Sequence, residues 1–339
     1  MMVMAPGVVK LLGEHAVVYG RLSLAVGINI YAKASVHRAR AGFFEIEMPE
    51  LKIDTALTRD DIDALYKSYK SKKSMSGYVK PRKTERALPF ATIAARLFNE
   101  FGIDPIGKRI RLVSGIPVQK GLASSAALST AFTVALVRSS KTKLKDSDII
   151  DVARDGERVI HLNENAGRID VSTSFYGGIT AFSTESGAKK EKVDVDLDLL
   201  VIDTGPKKST AETVGHVALL YKKNRRNTSA IFDRIHGISE RGLDAIRNAD
   251  MDLLGNLMYD NHELLKKRGV SSKGLDLAVK TAREHGARGA KLSGGGGGGI
   301  AIALLGRNKK QVTSVLKRQG FKVLRIKVSK TGARDYLRH

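Results

Sequence analysis

The chain has 339 residues, no cysteine and a formal net charge of +23. Its length is typical of roughly two domains, and its hydrophobic content of 42% is ample for packed cores. The lack of cysteine excludes disulfides, thiolate metal sites and cysteine nucleophiles, so the cytoplasm is the expected compartment. Neither a transmembrane helix nor a signal peptide is predicted, because the apolar runs are too short and no basic region precedes the N-terminal one.

The large positive charge has two interpretations. It would attract anions such as a nucleotide, a phosphorylated product or a nucleic acid, or it is simply a solvated basic surface. Aromatic residues make up only 6% of the chain and tryptophan is absent, whereas surfaces that bind single strands stack bases on aromatic rings. The sequence therefore favours a solvated surface, with neither nucleic acid nor membrane as a partner.

In chain order, the first half predicts strands followed by helices. Residues 5–12 form an apolar run that ends at a glycine, and residues 26–36 alternate between apolar and polar, as in a half-buried strand. Apolar positions at helical spacing predict a helix that Pro89 opens and Gly102 closes. The other predicted elements are a short helix and a mobile loop within 55–86, strands at 44–48, 110–112, 179–182 and 199–203, and helices at 124–137 and 146–161.

The second half is mainly helical. Residues 213–267 carry apolar positions at helical spacing almost without interruption, and a further helix is predicted at 275–284. A strand at 300–305, a helix at 309–319 and a strand at 321–328 then suggest a small split α+β layer. The pattern as a whole predicts an α+β protein with two domains, residues 1–190 and 191–339.

Two polar residues, Glu14 and His15, directly follow the glycine that ends the first strand. Polar groups at strand ends, held by rigid backbone, commonly face a ligand. A plain β-turn with two surface side chains explains the same pattern, and from this segment alone it is the better explanation.

A second segment, residues 117–127, opens a helix with small residues. Helix N-termini present unpaired N–H groups and a partial positive charge, and phosphate binds there. Ser124 and Ser125 add hydroxyls that reach a metal or simply cap the helix, and the segment alone does not decide between these roles. It is not a P-loop, because the P-loop pattern does not occur.

A third segment contains six consecutive glycines, residues 294–299. A flexible linker is the usual interpretation of such a run. Apolar, strand-like residues flank it on both sides, which favours a tight loop inside a domain where a ligand touches backbone.

Two carboxylates complete the candidate site. Glu157 shares a helix face with His161, and Asp170 lies a short distance further along the chain. A kinase needs a carboxylate near Mg²⁺ and a group that orients the attacking hydroxyl. The alternatives are a solvated helix charge for Glu157 and a turn or cap residue for Asp170.

Taken together, these segments resemble the GHMP kinases, and they occur in the order found in that family. Residues 13–20, 261–265 and 289–293 are most similar to the mevalonate kinases within it. The resemblance implies a ribosomal protein S5 domain 2-like N-terminal domain and a ferredoxin-like C-terminal domain, with the active site between them. It also implies ATP and Mg²⁺ as cofactors and (R)-mevalonate as the substrate.

The resemblance also implies roles for individual residues. The implied roles are as follows: Lys120, Gly121, Leu122, Ala123, Ser124, Ser125 and Ala126 around the ATP phosphates; Ser125 and Glu157 on Mg²⁺; Asp170 as the catalytic group on the acceptor hydroxyl; and Glu14, His15, Ser293, Gly294, Gly295 and Gly296 around the substrate.

The sequence departs from the family pattern at several of these positions. The family usually has lysine directly after Ala-Pro-Gly, where this chain has Val8. Lys10 lies two residues further on and shares a strand face with Val8, so we expect Lys10 to supply the missing catalytic charge. Gln119 and Ala123 replace glycines of the phosphate loop, and Ser293 stands where threonine is common.

Several activities remain open at this point. The first is phosphorylation of mevalonate on its 5-hydroxyl in the synthesis of isoprenoid precursors, which Asp170 favours. A sister kinase, either mevalonate 3-kinase or phosphomevalonate kinase, is the alternative, because relatives with shifted chemistry lose groups such as the lysine missing at Val8. A basic nucleic-acid-binding protein on this fold is a more distant alternative. The sequence leaves the oligomeric state open, with a homodimer as one candidate.

Overall fold

The computed structural model describes residues 1–71, 87–117, 120–161, 163, 166–205 and 210–337, without the side chains of residues 210 and 211. Residues 72–86, part of the segment 55–86 in which a short helix and a mobile loop are predicted, and Gln119 lie outside the described residues. Among the helices that are described, none combines the length and the hydropathy that a transmembrane span needs.

The first part of the chain is built on a mixed sheet, seven-stranded within the described residues. Its strands are β1 (Met2–Leu12), β2 (Ser23–Arg38), β3 (Phe44–Met48), β4 (Ile53–Leu57), β5 (Lys108–Ser114), β6 (Ile179–Ser183) and β7 (Gly187–Lys190). The long strand β2 pairs with β1 along one edge, while β5 and β6 share its other edge. The pairing with β1 shifts register after Lys10, where a β-bulge interrupts the ladder. Among the described residues β1 pairs only with β2, so backbone groups of alternate residues such as Lys10 on its other edge are open to contacts outside this sheet.

Helices cover this sheet and form the larger core with it. They are α1 (Arg59–Lys70), α2 (Leu88–Phe101), α3 (Ser124–Ser140), α4 (Asp146–His161) and α5 (Arg168–Tyr176). At the centre of the core, the fully buried ring of Phe132 on α3 lies 5.2 Å from the ring of Phe90 and 6.2 Å from that of Phe44, measured between centroids. These contacts join α3 to α2 and to β3.

The second part of the chain has an antiparallel sheet, four-stranded within the described residues, in the order β11-β8-β10-β9. Its strands are β8 (Leu199–Asp203), β9 (Gly289–Ser293), β10 (Ile300–Leu304) and β11 (Lys322–Ile326), and its helices are α6 (Thr210–Lys223), α7 (Arg225–Arg247), α8 (Met251–Lys267), α9 (Lys273–Glu284) and α10 (Lys309–Arg318). This strand order is that of a ferredoxin-like layer, so both the α+β class and this expectation are confirmed.

The predicted helical stretch 213–267 is interrupted twice. Asn224 and Asp250 each accept a hydrogen bond from the backbone N–H three residues on, and each starts a new helix. Short polar side chains compete with the helix ladder in this way, so apolar spacing alone does not reveal the breaks.

The end of the chain returns to the first sheet. Ser329 donates its N–H to Gly27 (2.7 Å) and accepts from Gly178 (2.6 Å), and Ala333 is fully buried in the first core. A division near residue 190, between β7 and β8, remains a proposal.

The Phe132→Ala variant should be strongly destabilised, because it opens a cavity at the centre of the first core. We expect a loss of about 3–5 kcal/mol in the free energy of unfolding, measured by chemical denaturation. The matched control is Leu219→Ala, where the side chain is 67% exposed and the change should be within about 0.5 kcal/mol. A Phe132→Ala protein as stable as this control would contradict the assignment of the core.

Candidate active site

The end of β1 is the starting point of the site. Glu14 and His15 are only 4% and 6% exposed, so the alternative of a plain surface turn is wrong. His15 has a positive φ of 62°, and a short 3₁₀ helix, Ala16–Tyr19, follows it. The turn is held by Asn261 of α8, whose side-chain oxygen accepts the N–H of Gly13 at 3.3 Å. The segment is therefore buried between the two parts of the chain.

Glu14 forms an ion pair with Lys291, a residue of β9 whose side chain has no solvent exposure. The ammonium group of Lys291 also donates to the carbonyl of Leu292 at 2.6 Å. Burial lowers the pKa of Lys291, while the carboxylate of Glu14 opposes that effect. The pair links the end of β1 to the second sheet.

His15 makes a single directed contact through Nε2, which lies 3.1 Å from the carbonyl oxygen of Gly295. Burial lowers the pKa of His15 to about 4, and the positive charge of Lys291 acts in the same direction. The ring is therefore neutral near pH 7. A carbonyl oxygen only accepts, so Nε2 carries the hydrogen and Nδ1 keeps a lone pair.

Lys10 and Asp170 form the second ion pair of the site. Lys10 lies near the end of β1, and Asp170 lies in the first turn of α5; their side chains are 19% and 23% exposed. Val8 is buried against Ile169 of the same helix, so Val8 and Lys10 both face α5, as the alternation along the strand predicts.

Ser293 joins β9 to the backbone of Lys10. Its hydroxyl accepts the N–H of Lys10 at 3.1 Å and donates to the carbonyl of Lys10 at 3.0 Å. These two backbone groups lie on the edge of β1 that does not pair with β2. Ser293 therefore fixes the strand that carries Lys10 against the second sheet.

The start of α3 lies next to the same strand. The N–H of Val8 donates to the carbonyl of Leu122 at 2.9 Å, and Lys120 forms an ion pair with Asp203 of β8 at 2.6 Å. Burial alone would raise the pKa of Asp203, but the hydrogen bonds from Lys120 and from the N–H of Gly205 hold it below its usual value. The loop is thus anchored to both sheets.

Helix α3 begins without a side-chain cap. Ala123 occupies the cap position with a φ of 55°, and Ser124 and Ser125 are the first two helical residues, so N-capping by serine is wrong. The hydroxyl of Ser124 instead contacts that of Ser114 at 3.1 Å. The N–H groups at the start of the helix therefore have no side-chain cap, an arrangement that suits an anion.

Helices α3, α4 and α5 meet in a small cluster of Ala126, Ala153 and Val171. Ser125 precedes the first of these residues in sequence, Asp170 precedes the last, and Glu157 lies one turn beyond Ala153 on α4. The three predicted polar residues therefore lie on the three helices that meet at this cluster.

Glu157 is only 4% exposed, so the alternative of a solvated helix charge is wrong. Its Oε1 is buried and has no hydrogen-bond partner among the described residues, while Oε2 lies 3.5 Å from Nε2 of His161. Only glycine fits at position 167, where a Cβ atom would lie 2.7 Å from the Glu157 side chain. A buried carboxylate oxygen without a partner is well suited to a divalent cation.

The glycine segment is a fixed loop between β9 and β10, so the flexible-linker alternative is wrong. At Gly296 a side chain is excluded, because a Cβ atom would lie 2.0 Å from the carbonyl oxygen of Val270 and φ is 75°. The N–H of Gly297 donates to that same carbonyl at 2.7 Å, and the carbonyl of Gly299 accepts the N–H of Thr204 at 2.8 Å. Beside Gly294, by contrast, there is open space.

Most predicted site residues are thus brought to one region. Ser293 contacts Lys10 and Gly295 contacts His15, which joins β9 and the glycine loop to the end of β1. Leu122 contacts Val8, which joins the start of α3 to the same strand. Sequence reasoning did not assign roles to Lys291, Asn261 and Asp203. The signal for Lys291 was present, since it is a lysine between Ala290 and Leu292 in an apolar strand. Asn261 begins one of the segments that resemble the mevalonate kinases, although no role was assigned to it, whereas Asp203 carries no comparable signal because only the fold brings it to the site.

Comparisons with known proteins agree with this arrangement. The family models described as "GHMP kinases N terminal domain" and "GHMP kinases C terminal" match residues 89–178 and 243–322. The mevalonate kinases of Thermococcus sibiricus and Pyrococcus abyssi are each 30% identical, over 97% of this chain and 96% of theirs.

Solved structures show the same two-domain fold. The Methanococcus jannaschii mevalonate kinase has a TM-score of 0.80 and 27% identity, covering 97% of this chain and 98% of that one. The L. major mevalonate kinase in complex with R-mevalonate has a TM-score of 0.75 and 23% identity, covering 98% and 97%. The fold that the sequence implied is thereby confirmed.

The low pKa of His15 should make the protein less stable in mild acid. Between its ordinary value of 6.5 and about 4, the unfolded chain binds a proton that the folded chain does not, so stability falls as the pH falls through this window. Relative to His15→Gln, the wild type should lose about 2 kcal/mol between pH 7 and pH 5, measured by chemical denaturation.

The exposed His37 provides the matched control for the loss of one histidine, as His37→Gln. Equal pH dependence of stability in the wild type and in His15→Gln would contradict a buried, neutral His15.

Proposed function

We propose, from the premise that this chain belongs to the GHMP kinase family, that it is a mevalonate kinase, which transfers the γ-phosphoryl group of ATP to the 5-hydroxyl of (R)-mevalonate. The observation that carries the proposal is the ion pair of Lys10 and Asp170, held beside the uncapped start of α3. A carboxylate, a cation and a phosphate-binding helix end meet there, which is what phosphoryl transfer to an alcohol requires.

Asp170 and Lys10 have distinct roles in this proposal. The carboxylate of Asp170 orients the acceptor hydroxyl and takes its proton as the oxygen attacks phosphorus. The ammonium of Lys10 stabilises the negative charge that develops on the transferred group. Both side chains are about one-fifth exposed, so ligands can reach them, while β1 and α5 fix their positions.

The phosphate side of the site is proposed to be formed by residues 120–126. The free N–H groups at the start of α3 would bind the phosphates of ATP, and the anchoring of Leu122 and Lys120 would keep this loop in place. Ser125 and Glu157 would hold Mg²⁺, and the partnerless Oε1 of Glu157 supports this role. When bound, Mg²⁺ neutralises charge on the phosphates.

The acceptor side is proposed to be lined by Glu14, His15 and the segment from Ser293 to Gly296. Because Nε2 of His15 donates to Gly295, Nδ1 remains as an acceptor for a hydroxyl of the substrate. The open space beside Gly294 supports close approach of substrate to backbone.

The direct test is product analysis by phosphorus NMR after incubation with ATP, Mg²⁺ and (R)-mevalonate. The expected product carries its phosphate on C5. A phosphate on C3 would identify a 3-kinase instead. Absence of turnover with mevalonate, together with turnover of phosphomevalonate in a coupled assay of ADP release, would identify the phosphomevalonate activity.

The Asp170→Asn variant should lose turnover by on the order of 10²–10⁴-fold, because an amide cannot accept the hydroxyl proton. The Michaelis constants should change much less, since the shape of the site is retained. Steady-state kinetics measure both quantities. Asp194→Asn, at a side chain that is 81% exposed, is the matched control; similar activity in the two variants would remove Asp170 from the mechanism.

The Lys10→Ala variant should lower turnover by on the order of 10²-fold, because one charged donor to the transferred group is removed. The exposed Lys33 on the adjacent strand β2 provides the control, as Lys33→Ala. Nearly unchanged turnover in Lys10→Ala would defeat the idea that Lys10 replaces the lysine missing at Val8.

A further inference from the structure

Lys291 has an unusual position for a lysine. It lies in the middle of β9, its side chain has no solvent exposure, and its partner Glu14 is only 3% exposed. Lysine and glutamate are almost never buried to this extent unless they are paired. The absence of exposure means that Lys291 does not reach a ligand in the cleft.

Two further contacts join the same two segments as the pair. The hydroxyl of Ser293 binds the backbone of Lys10, and His15 donates to the carbonyl of Gly295. Lys291 and Ser293 are two residues apart on β9 and therefore share a strand face, the one that meets the end of β1. The charge pair is thus one of three neighbouring contacts that form the junction between β1 and β9.

Strand β9 is also held from α8. The N–H of Leu292 donates to Nδ1 of His262 at 3.3 Å, and Nε2 of His262 lies 3.2 Å from Asp276. Because α8 fixes the strand in this way, a change at the Glu14–Lys291 pair would be absorbed by the segment that contains Glu14 and His15.

We propose that Lys291 is a positioning residue which, through Glu14, sets where His15 stands relative to Ser293, Lys10 and Asp170, and thereby controls binding of the acceptor. The proposal rests on the proposed function. This inference deepens the proposed function, because it assigns Lys291 to acceptor binding and not to ATP binding. The phosphate loop is anchored by other contacts, from Val8 to Leu122 and from Lys120 to Asp203.

Two features of the pair support this role. Glu14 has a second carboxylate oxygen that is buried without a hydrogen-bond partner among the described residues, so loss of Lys291 would leave the whole carboxylate buried and unpaired. Breaking a buried pair on one side is far more disruptive than replacing both partners. The charge of Lys291 also helps to keep His15 neutral.

The test is a double-mutant cycle of Lys291→Met, Glu14→Gln and the double variant, each measured for the KM of the acceptor, the KM of ATP and kcat. Lys291→Met should lose on the order of 10²-fold in kcat/KM for the acceptor, mainly through KM, because the acceptor site is misplaced. The KM of ATP should change by less than about twofold. The double variant should be within about threefold of Glu14→Gln, because Lys291 acts only through Glu14.

Two results would overturn the proposal. A further loss of about tenfold on adding Lys291→Met to Glu14→Gln would show a role that does not pass through Glu14. Equal weakening of acceptor and ATP binding in Lys291→Met would show general structural damage. If Lys291→Met does not fold, the comparison of Glu14→Gln with the double variant decides the question by itself.

Lys330→Met is the matched control, because it removes a lysine from an exposed ion pair with Asp194 and should leave the kinetics unchanged.

A separate readout needs no substrate. The charges of Lys291 and His216 influence the His15 ring, so in NMR titrations the pKa of His15 should rise in Lys291→Met. An unchanged pKa would count against the proposal.

Wild-type protein that is inactive on mevalonate refutes the proposed function alone. The double-mutant cycle is then run with the acceptor found by an ADP-release screen.

Discussion

The site depends on how the end of β1 is held against β9. Three contacts form this junction: the buried pair of Glu14 and Lys291, the Ser293 hydroxyl on the Lys10 backbone, and His15 on the Gly295 carbonyl. Each joins a residue of the first sheet region to one of the second. Because Ser293 holds the backbone of Lys10, the second sheet also supports the strand whose lysine forms the ion pair with Asp170.

The same junction explains how a strongly basic chain builds a site with balanced charges. The three lysines that the structure describes at the site each form an ion pair with a carboxylate: Lys10 with Asp170, Lys120 with Asp203, and Lys291 with Glu14. The net charge of +23 is therefore carried elsewhere on the molecule. The overall charge bears on solubility and on long-range attraction of anionic substrates, whereas the chemistry depends on a few pairs at short range.

The burial of Glu14, His15 and Glu157 excludes the surface alternatives that the sequence left open for them. From the sequence, a surface turn was the better explanation of Glu14 and His15 taken alone, and a solvated charge was an alternative for Glu157. All three are nearly inaccessible in the structure. A polar group is buried only where partners or ligands compensate for lost hydration. The Glu157 oxygen that has no partner among the described residues is the basis for the proposed cation site, and the neutral ring of His15 is the basis for its proposed contact with a hydroxyl.

The sequence by itself determined the strand and helix order, the α+β class and the segments that form the site, because these follow from local periodicity and from glycine and proline at element ends. It also placed Lys10 on the face of Val8, by strand alternation. Only the tertiary structure decided that Lys291 pairs with Glu14 and that the chain end returns to the first sheet. Such contacts join residues hundreds of positions apart, and no local pattern encodes them, since they depend on how whole sheets pack.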